Sequence, residues 1–284
     1  MNDLIFSRSF NDGFMTPAEA VTKAPAMVTQ CAAPDRSNRY GHLSTLQAAE
    51  ILDGFGYGIT QAAQKRARKQ SGAPYAEHLV AFSPRAGSVS AEFRSEIILY
   101  NSHDGSSSLK LFAGAYRFIC SNGLISGDGI ETRLRHSKAN AAGFSAMVLE
   151  IAGELPALMD RVERLQSVTL SQAAQNEIAI RAAGLRWDDS RDIEAVQNPD
   201  TGVFEYPRGA YFTGRTVSGI ASPRRYGDAG ASAWLAFNRA QENVIRGGAE
   251  ILSITDKAPR GKFRKARAIT SVSDNVRINR SLWD

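Results

Sequence analysis

The chain has 284 residues, of which 43% are apolar and 22% are charged. These proportions fit a soluble globular protein of one large or two small domains and exclude a disordered, collagen-like or coiled-coil chain. The sequence shows neither a run of about 18 uninterrupted apolar residues nor a secretory signal, so we expect a cytoplasmic protein without a membrane span. Two cysteines are too few for a disulfide scaffold or a cysteine-built zinc site.

The excess positive charge is concentrated at the C-terminus. The net charge is +5, yet residues 257–284 alone carry +6 and residues 1–256 carry −1. A basic segment next to a nearly neutral body creates a local field that attracts a polyanion, although many such segments are only solvated tails. The predicted organisation is therefore a flexible arm over 1–36, an α+β core over 37–256 and a basic segment over 257–284.

The N-terminal third mixes breakers with one helical stretch. Pro17, Pro25 and Pro34 interrupt the first 36 residues, which predicts a loosely packed leader. Residues 44–69 are predicted to be rich in helix, capped by Ser44 or Thr45 and broken by three glycines within residues 54–58.

Three short runs of β-branched and aromatic residues predict strands over 78–83, 96–101 and 109–112. Asp104-Gly105 lies between the last two and predicts a hairpin, because glycine accepts a positive φ. Residues 115–119 fit either a strand or a short helix.

The C-terminal half is predicted to be largely helical. An amphipathic stripe predicts a helix over 144–165, kinked or divided at Pro156. A second helix is expected to open at a capping box formed by Thr169 and Gln172, and a third to span residues 231–246. The polar stretch 187–230 is interpreted as loops. The resulting fold class is α+β, a small antiparallel sheet with a hairpin packed against helices.

No catalytic or metal-binding constellation stands out. The four histidines lack metal-ligand spacing, and His103-Asp104 is interpreted as part of a turn. Asp188, Asp189 and Asp192 resemble the carboxylates of a metal-dependent nuclease, but an acidic loop is the preferred interpretation. We therefore predict no enzyme, no cofactor and no metal.

Basic residues interleaved with aromatic ones remain as the candidate site. Lysine and arginine neutralise phosphates, and flat rings stack on bases regardless of sequence. The predicted nucleic-acid-binding residues fall into three clusters: Lys65, Arg66, Arg68 and Lys69; Arg224, Arg225 and Tyr226; Arg260, Lys262, Phe263, Arg264, Lys265 and Arg267.

Four blocks carry a family resemblance. They are residues 96–127 (EIILYNSHDGSSSLKLFAGAYRFICSNGLISG), 222–226 (SPRRY), 234–248 (WLAFNRAQENVIRGG) and 264–283 (RKARAITSVSDNVRINRSLW). In this order they resemble a family of phage- and plasmid-type proteins known as a domain of unknown function. The resemblance implies a mobile-element origin and a cytoplasmic setting, and it implies no reaction.

The order of the predicted elements is also similar to the core of single-strand annealing recombinases of the Redβ, RecT and Erf kind. That likeness implies a sheet against a helix, assembly into a homo-oligomer and a basic groove for single-stranded DNA. The leading hypothesis is thus a single-stranded DNA-binding, strand-annealing protein of phage or plasmid recombination. The alternatives are a protein-binding module that counters host defence and a metal-dependent nuclease.

Overall fold

A computed structural model describes the chain in two compact units, Met1–Asp160 (unit 1) and Arg161–Asp284 (unit 2). The residues described are 13–37, 39–67, 69–86, 93–117, 122–125, 131–136, 140–187, 196–197, 204–205, 210–212, 214–224, 226–245, 247, 250–253, 263–265, 277–278 and 281–282. The division differs from the predicted organisation, in which one core continued from 37 to 256.

Unit 1 is built on a six-stranded antiparallel sheet. Its strands are β1 (Tyr57–Gln64), β2 (His78–Pro84), β3 (Phe93–Asn101), β4 (Leu109–Arg117), β5 (Asn122–Ile125) and β6 (Glu131–Leu134). The first five follow one another in space in chain order, and β6 pairs with the first half of β4. The three strands predicted from the sequence are confirmed, and β4 continues through the start of the stretch 115–119.

Both faces of this sheet are buried. Leu79 and Ile98 lie on one face and Val80 and Leu99 on the other, since neighbouring residues of a strand point in opposite directions, and all four are at most 1% exposed. The sheet is therefore a central layer of unit 1, and its apolar strand sequences follow from that position.

The hairpin between β3 and β4 forms as predicted. Gly105 has a φ of +76°, and the Asp104 carboxylate accepts a hydrogen bond from the backbone N–H of Ser106 at 2.9 Å. Asp104 thus has the turn role that the sequence predicted.

Residues 13–36 are packed rather than loose, in contrast to the predicted arm. They form helix α1 (Pro17–Lys23) and a 3₁₀ turn at Pro25–Val28, and the side chains of Ala20 and Met27 are fully buried. Pro17 and Pro25 start these two elements, because proline is tolerated at the first helical position.

The prediction for residues 44–69 is correct in its first half and wrong in its second. Ser44 caps helix α2 (Thr45–Gly54) in a capping box with Gln47. After the glycine turn, however, the chain enters strand β1 instead of a second helix. Pairing with β2 and burial of most of β1 override the weak β-propensity of its alanines and glutamines.

Helix α3 (Ala141–Ser167) crosses the boundary between the units, and Pro156 lies inside it without ending it. It is the one helix, among the described residues, that is long and apolar enough to cross a membrane by length and composition. Phe144, Val148 and Ile151 are nevertheless buried, and Glu150 and Glu154 are exposed. This amphipathic pattern is that of a packed helix.

The described part of unit 2 includes three further α-helices and a small sheet. The helices are α4 (Gln172–Trp187), α5 (Gly214–Ala221) and α6 (Ala233–Ile245). The strands are β7 (Val196–Gln197), β8 (Phe204–Glu205), β9 (Ala210–Phe212), β10 (Glu250–Ser253) and β11 (Phe263–Lys265), arranged in the order β11-β10-β9-β8-β7.

Two predictions for unit 2 need correction. Residues 187–230 contain α5 and three short strands instead of loops alone, and strands of two or three residues are too short for periodicity to reveal. Helix α4 is capped by Ser171, whose hydroxyl accepts the Ala174 N–H at 3.2 Å, whereas Thr169 forms a β-bridge with Ser232. The α+β class and the helical C-terminal half are confirmed.

Candidate functional site

All four histidines of the chain meet in unit 1. His42 precedes α2, His78 begins β2, His103 lies in the β3–β4 hairpin, and His136 follows β6. The ring centroid of His103 lies 4.7 Å from that of His42, 5.5 Å from that of His78 and 6.3 Å from that of His136. We call these four residues the histidine cluster, with His103, which is completely buried, at its centre.

His78 is fully hydrogen-bonded. Its Nδ1–H donates to the Ala76 carbonyl at 2.8 Å, so its Nε2 is the acceptor for the Thr45 hydroxyl at 2.7 Å. Thr45 Oγ1 in turn accepts a hydrogen bond from the Asn101 side-chain amide at 3.1 Å. This buried chain of bonds fixes α2 to the ends of β2 and β3 and gives His78 a structural role.

The other three rings carry nitrogens that lack a partner. His136 Nε2 donates to the Ser107 carbonyl at 3.0 Å, but its Nδ1, the Nε2 of His42 and both nitrogens of His103 have no hydrogen-bond partner in the described part of the chain. Burial lowers the pKa of His103 to about 3 and that of His78 to about 4. The cluster is therefore neutral at pH 7, because burial penalises the charged form.

An open cleft of about 530 Å³ adjoins the cluster. Its floor includes Tyr40 and His136, whose rings stack with centroids 4.4 Å apart. The Tyr40 hydroxyl donates to the Ser102 carbonyl at 3.2 Å, which holds the ring in place. The cleft is thus anchored to the buried cluster through a stacked aromatic pair.

The walls of this cleft are basic. Arg36 and Arg39 come from the segment before α2, and Arg135 directly follows β6. Asp35 is the one acidic residue among the described residues that line the cleft. Arg36 is ion-paired with Asp35, while Arg39 and Arg135 are exposed. We call this the arginine cleft. Its chemistry suits an anion with several oxygens, such as a phosphate chain, with Tyr40 available to a flat group.

A metal centre would require several ligating side chains in one place. Within the described ranges, no group of three histidine, cysteine or acidic side chains is arranged to hold a metal ion. Asp188, Asp189 and Asp192, the carboxylates of the nuclease hypothesis, lie outside the described residues.

The first predicted basic cluster is exposed at the end of β1. Lys65, Arg66 and Lys69 are accessible to solvent, and Arg68 lies outside the described residues. The Lys65 ammonium is paired with the Glu77 carboxylate at 2.8 Å, so part of its charge is already balanced.

The second predicted cluster divides between a structural and an exposed group. Arg224 donates through Nη2 to the Gly247 carbonyl at 2.5 Å and lies 3.9 Å from the buried Glu242 carboxylate, so it fixes the end of α6. Tyr226, in contrast, is 98% exposed and offers its ring to solvent. Arg225 lies outside the described residues.

The third predicted cluster is described only in part. Phe263, Arg264 and Lys265 form β11, opposite Leu252, Ile251 and Glu250 of β10. Arg260, Lys262 and Arg267 lie outside the described residues. The C-terminal basic segment therefore includes a strand of the unit 2 sheet instead of being a free tail throughout.

Sequence reasoning missed the histidine cluster and the arginine cleft, because both assemble from segments far apart in the chain. One signal was available. His78 begins one predicted strand and His103 follows the end of the next, and antiparallel neighbours bring those two ends to the same edge of a sheet. The register His78–Asn101 confirms that they meet there.

The fold and the site define an α+β protein with a central antiparallel sheet, a buried histidine cluster and an arginine-lined cleft. The family model described as "Domain of unknown function (DUF932)" matches residues 34–283, and the chain belongs to this family. The matched region includes both the cluster and the cleft.

Two relatives from Escherichia coli (strain K12) match over most of their length. The chain is 29% identical to the UPF0380 protein YafZ and 28% identical to the UPF0380 protein YfjQ, each over 274 residues that cover 95% of this chain and 89% of the relative. No solved structure matches the chain.

Proposed function

We propose that this protein binds single-stranded DNA, with the arginine cleft as a phosphate-binding site. The observation that carries the proposal is the convergence of Arg36, Arg39 and Arg135 on one cleft, whose described lining contains one acidic residue, Asp35. Guanidinium groups bind phosphate oxygens through paired hydrogen bonds. The phosphates of a strand that follows the cleft would therefore neutralise the charges of several arginines.

The position of Tyr40 favours the binding of a single strand over that of a duplex. Its ring lies in the lining of the cleft and is held by the His136 ring and by the Ser102 carbonyl. An aromatic surface beside a basic wall is the usual arrangement for stacking an unpaired base, which a duplex does not offer.

The biological role expected from the sequence is part of the proposal that the protein binds single-stranded DNA. Strand annealing in phage or plasmid recombination, a mobile-element origin, a cytoplasmic setting and assembly into a homo-oligomer each follow from a resemblance. The exposed groups Lys65, Arg66, Lys69 and Tyr226 are further candidates for contact with the strand. Comparing the particle size with and without a bound oligonucleotide tests the assembly.

The arginine cleft is tested by titrating a labelled oligothymidylate at several salt concentrations. For single strands, the slope of log K against log salt is about −0.7 per phosphate contact. The triple variant Arg36→Ala/Arg39→Ala/Arg135→Ala should therefore bind more weakly at low salt, with a slope that is smaller by about 2.

A matched control removes the same charge elsewhere. Lys23, Arg164 and Arg181 are exposed, so the triple variant Lys23→Ala/Arg164→Ala/Arg181→Ala should keep the wild-type slope. The proposal fails if the wild-type protein does not bind at low salt or if both triple variants lose affinity equally. Circular dichroism of each variant checks that it is folded.

A further inference from the structure

Unit 2 contains a second cavity with a different chemistry. It has a volume of about 590 Å³ and lies between α4, α5 and the turn that leads into α6. Three carboxamides from one side of α4, those of Gln172, Gln175 and Asn176, face apolar walls that include Ile180 and Val217. Among the described residues that line it, none is acidic and the one cation is Arg239.

Arg239 forms a rigid base for this cavity. It is 3% exposed, and its Nη1 donates to the carbonyls of Asp228 and Gly230 at 2.7 and 2.9 Å. Its Nη2 donates to Gln175 Oε1 at 2.7 Å, and Gln175 Nε2 donates to the Leu170 carbonyl at 3.2 Å. The guanidinium therefore holds the cavity wall in place through three hydrogen bonds, so the cavity is preformed.

The remaining two carboxamides present a donor next to an acceptor. Gln172 Nε2 donates to Asn176 Oδ1 at 3.0 Å, which leaves Gln172 Oε1 as an acceptor and Asn176 Nδ2 as a donor. If both amides are flipped, the hydrogen bond runs in the opposite direction and again leaves one donor and one acceptor. Adjacent donor and acceptor groups are what the hydrogen-bonding edges of nucleobases offer, and carboxamides are common partners for them.

We propose that this cavity, which we call the carboxamide pocket, binds a nucleobase between the apolar walls with its edge on Gln172 and Asn176. A flat, uncharged ligand with a polar edge fits the apolar walls and the carboxamides of the lining, whose described residues include no acidic group. The proposal rests on the proposed function for the origin of the base, an unpaired nucleotide of the bound strand.

Tyr226 fits this assignment. Its ring is 98% exposed, and it begins the 3₁₀ turn Tyr226–Asp228, directly before Ala229 and Gly230 of the pocket lining. A base in the pocket would leave its neighbour in the strand unstacked, and an exposed ring near the pocket provides a surface for that neighbour. Because each base has an edge with a donor beside an acceptor, the pocket would bind without strong sequence preference.

The experiment uses nucleosides, because they carry no phosphate and so bypass the arginine cleft. The full chain is titrated with adenosine and cytidine, and binding is followed through the NMR signals of the side-chain amides. We expect saturable shifts of the Gln172 and Asn176 amide signals at millimolar nucleoside. Ribose 5-phosphate, which has no base, should leave them unchanged.

Matched variants separate the pocket from its surroundings. Gln172→Leu/Asn176→Leu removes the donor and the acceptor while keeping side chains of similar size. Binding to it is followed through the side-chain amide signal of Gln175, which also lines the pocket and is kept. The variant should bind nucleosides about tenfold more weakly, as expected for the loss of about two net hydrogen bonds. Gln30→Leu/Gln70→Leu replaces two exposed carboxamides outside the pocket and should bind as the wild type does.

Three results would overturn the inference: no shift of the pocket signals at several millimolar nucleoside, equal binding by both double variants, or equal shifts with ribose 5-phosphate. The oligonucleotide titration gives an independent answer. If oligothymidylate binds through the arginine cleft while nucleosides fail to bind, the pocket assignment is wrong and the proposed function stands. If nucleosides bind while oligothymidylate does not, the proposed function fails and the pocket remains a nucleobase site.

Discussion

His103 of unit 1 and Arg239 of unit 2 are both buried polar side chains, but they differ in their hydrogen bonds. In unit 1, His103 is completely buried and both of its ring nitrogens lack a partner in the described part of the chain. In unit 2, Arg239 is also buried, but its guanidinium donates to two carbonyls and one carboxamide. The two side chains are therefore buried to a similar degree, His103 without hydrogen bonds from its ring to the described residues and Arg239 with several.

Protonation explains the difference. An imidazole can lose its charge, and burial lowers the pKa of His103 to about 3, so the neutral ring lies between other rings at moderate cost. A guanidinium cannot be deprotonated in a protein, so its burial requires acceptors aimed at its N–H groups. Unit 1 should consequently be sensitive to pH, whereas unit 2 should be sensitive to the loss of its hydrogen bonds.

The largest expected effect comes from removing the guanidinium of unit 2. Arg239→Met keeps an unbranched side chain but leaves the carbonyls of Asp228 and Gly230 without this donor, and we expect a loss of about 3 kcal/mol in the free energy of unfolding. Tryptophan fluorescence during urea unfolding measures this in unit 2, because the three tryptophans, at positions 187, 234 and 283, all belong to it.

The control for this prediction is an exposed arginine of the same unit. Arg181 pairs with Glu177 on the surface of α4, with side chains 78% and 54% exposed, so Arg181→Met should change the stability by less than about 0.5 kcal/mol. Equal effects of the two substitutions would show that the Arg239 network does not hold unit 2 together.

Acid should destabilise unit 1 before unit 2. The folded-state pKa values of His103 and His78 lie below the ordinary value of 6.5, so the unfolded chain binds more protons. Their contribution to the free energy of unfolding amounts to a few kcal/mol. It is fully present above pH 6.5 and is lost progressively as the pH falls towards about 4. Amide hydrogen exchange of β2 and β3 at pH 7 and pH 5 measures it.

Unit 2 provides the internal control, because all four histidines lie in unit 1. Its stability, followed by tryptophan fluorescence, should change much less over the same pH interval. A larger loss in unit 2 than in unit 1 would contradict the assignment of the pH dependence to the histidine cluster.

The sequence allowed prediction of those parts of the fold that depend on local propensity. The β-branched residues of β2 and β3 and the Asp104-Gly105 turn are strong local signals, and the stripe of α3 is long enough to define a helix despite Pro156. Strand β1, with the sequence YGITQAAQ, has little β-propensity and forms because β2 offers it a partner and the core covers it.

The site was less accessible than the fold, because it depends on tertiary contacts. Its histidines occupy four separate segments, and no ligand spacing relates them. The three arginines of the cleft belong to none of the predicted basic clusters. Arg36 and Arg135 are nearly 100 residues apart in the sequence, and only the fold brings them together. Runs of basic residues in the sequence therefore pointed to Lys65 and Arg66 and could not indicate the cleft.

A smaller effect is expected at the hydrogen-bonded histidine of unit 1. Thr45→Val preserves shape but removes the hydroxyl that joins His78 to Asn101, and we expect a loss of about 1–2 kcal/mol, since two buried polar groups lose their partner. The matched control is Thr22→Val, because the Thr22 hydroxyl donates to the Ala18 carbonyl on the exposed side of α1. A similar cost for both, measured by hydrogen exchange of β2, would contradict the structural role of His78.

The smallest effect is expected at the centre of the histidine cluster. His103→Leu replaces an imidazole whose nitrogens have no partner in the described part of the chain with an apolar side chain of similar size. At pH 7 we expect a change of less than about 1 kcal/mol, with either sign, because the apolar gain offsets small packing changes. His78→Leu should cost more, since it breaks two hydrogen bonds.

The two leucine variants should also diverge with pH. At pH 5, His103→Leu should be more stable than the wild type, because the group that resists protonation in the folded state is gone. Hydrogen exchange of β3 at both pH values measures this difference. A loss of more than about 2 kcal/mol in the free energy of unfolding of His103→Leu at pH 7 would mean that a polar partner holds the His103 ring. That result would contradict the contrast between a neutral buried ring in unit 1 and a hydrogen-bonded buried guanidinium in unit 2.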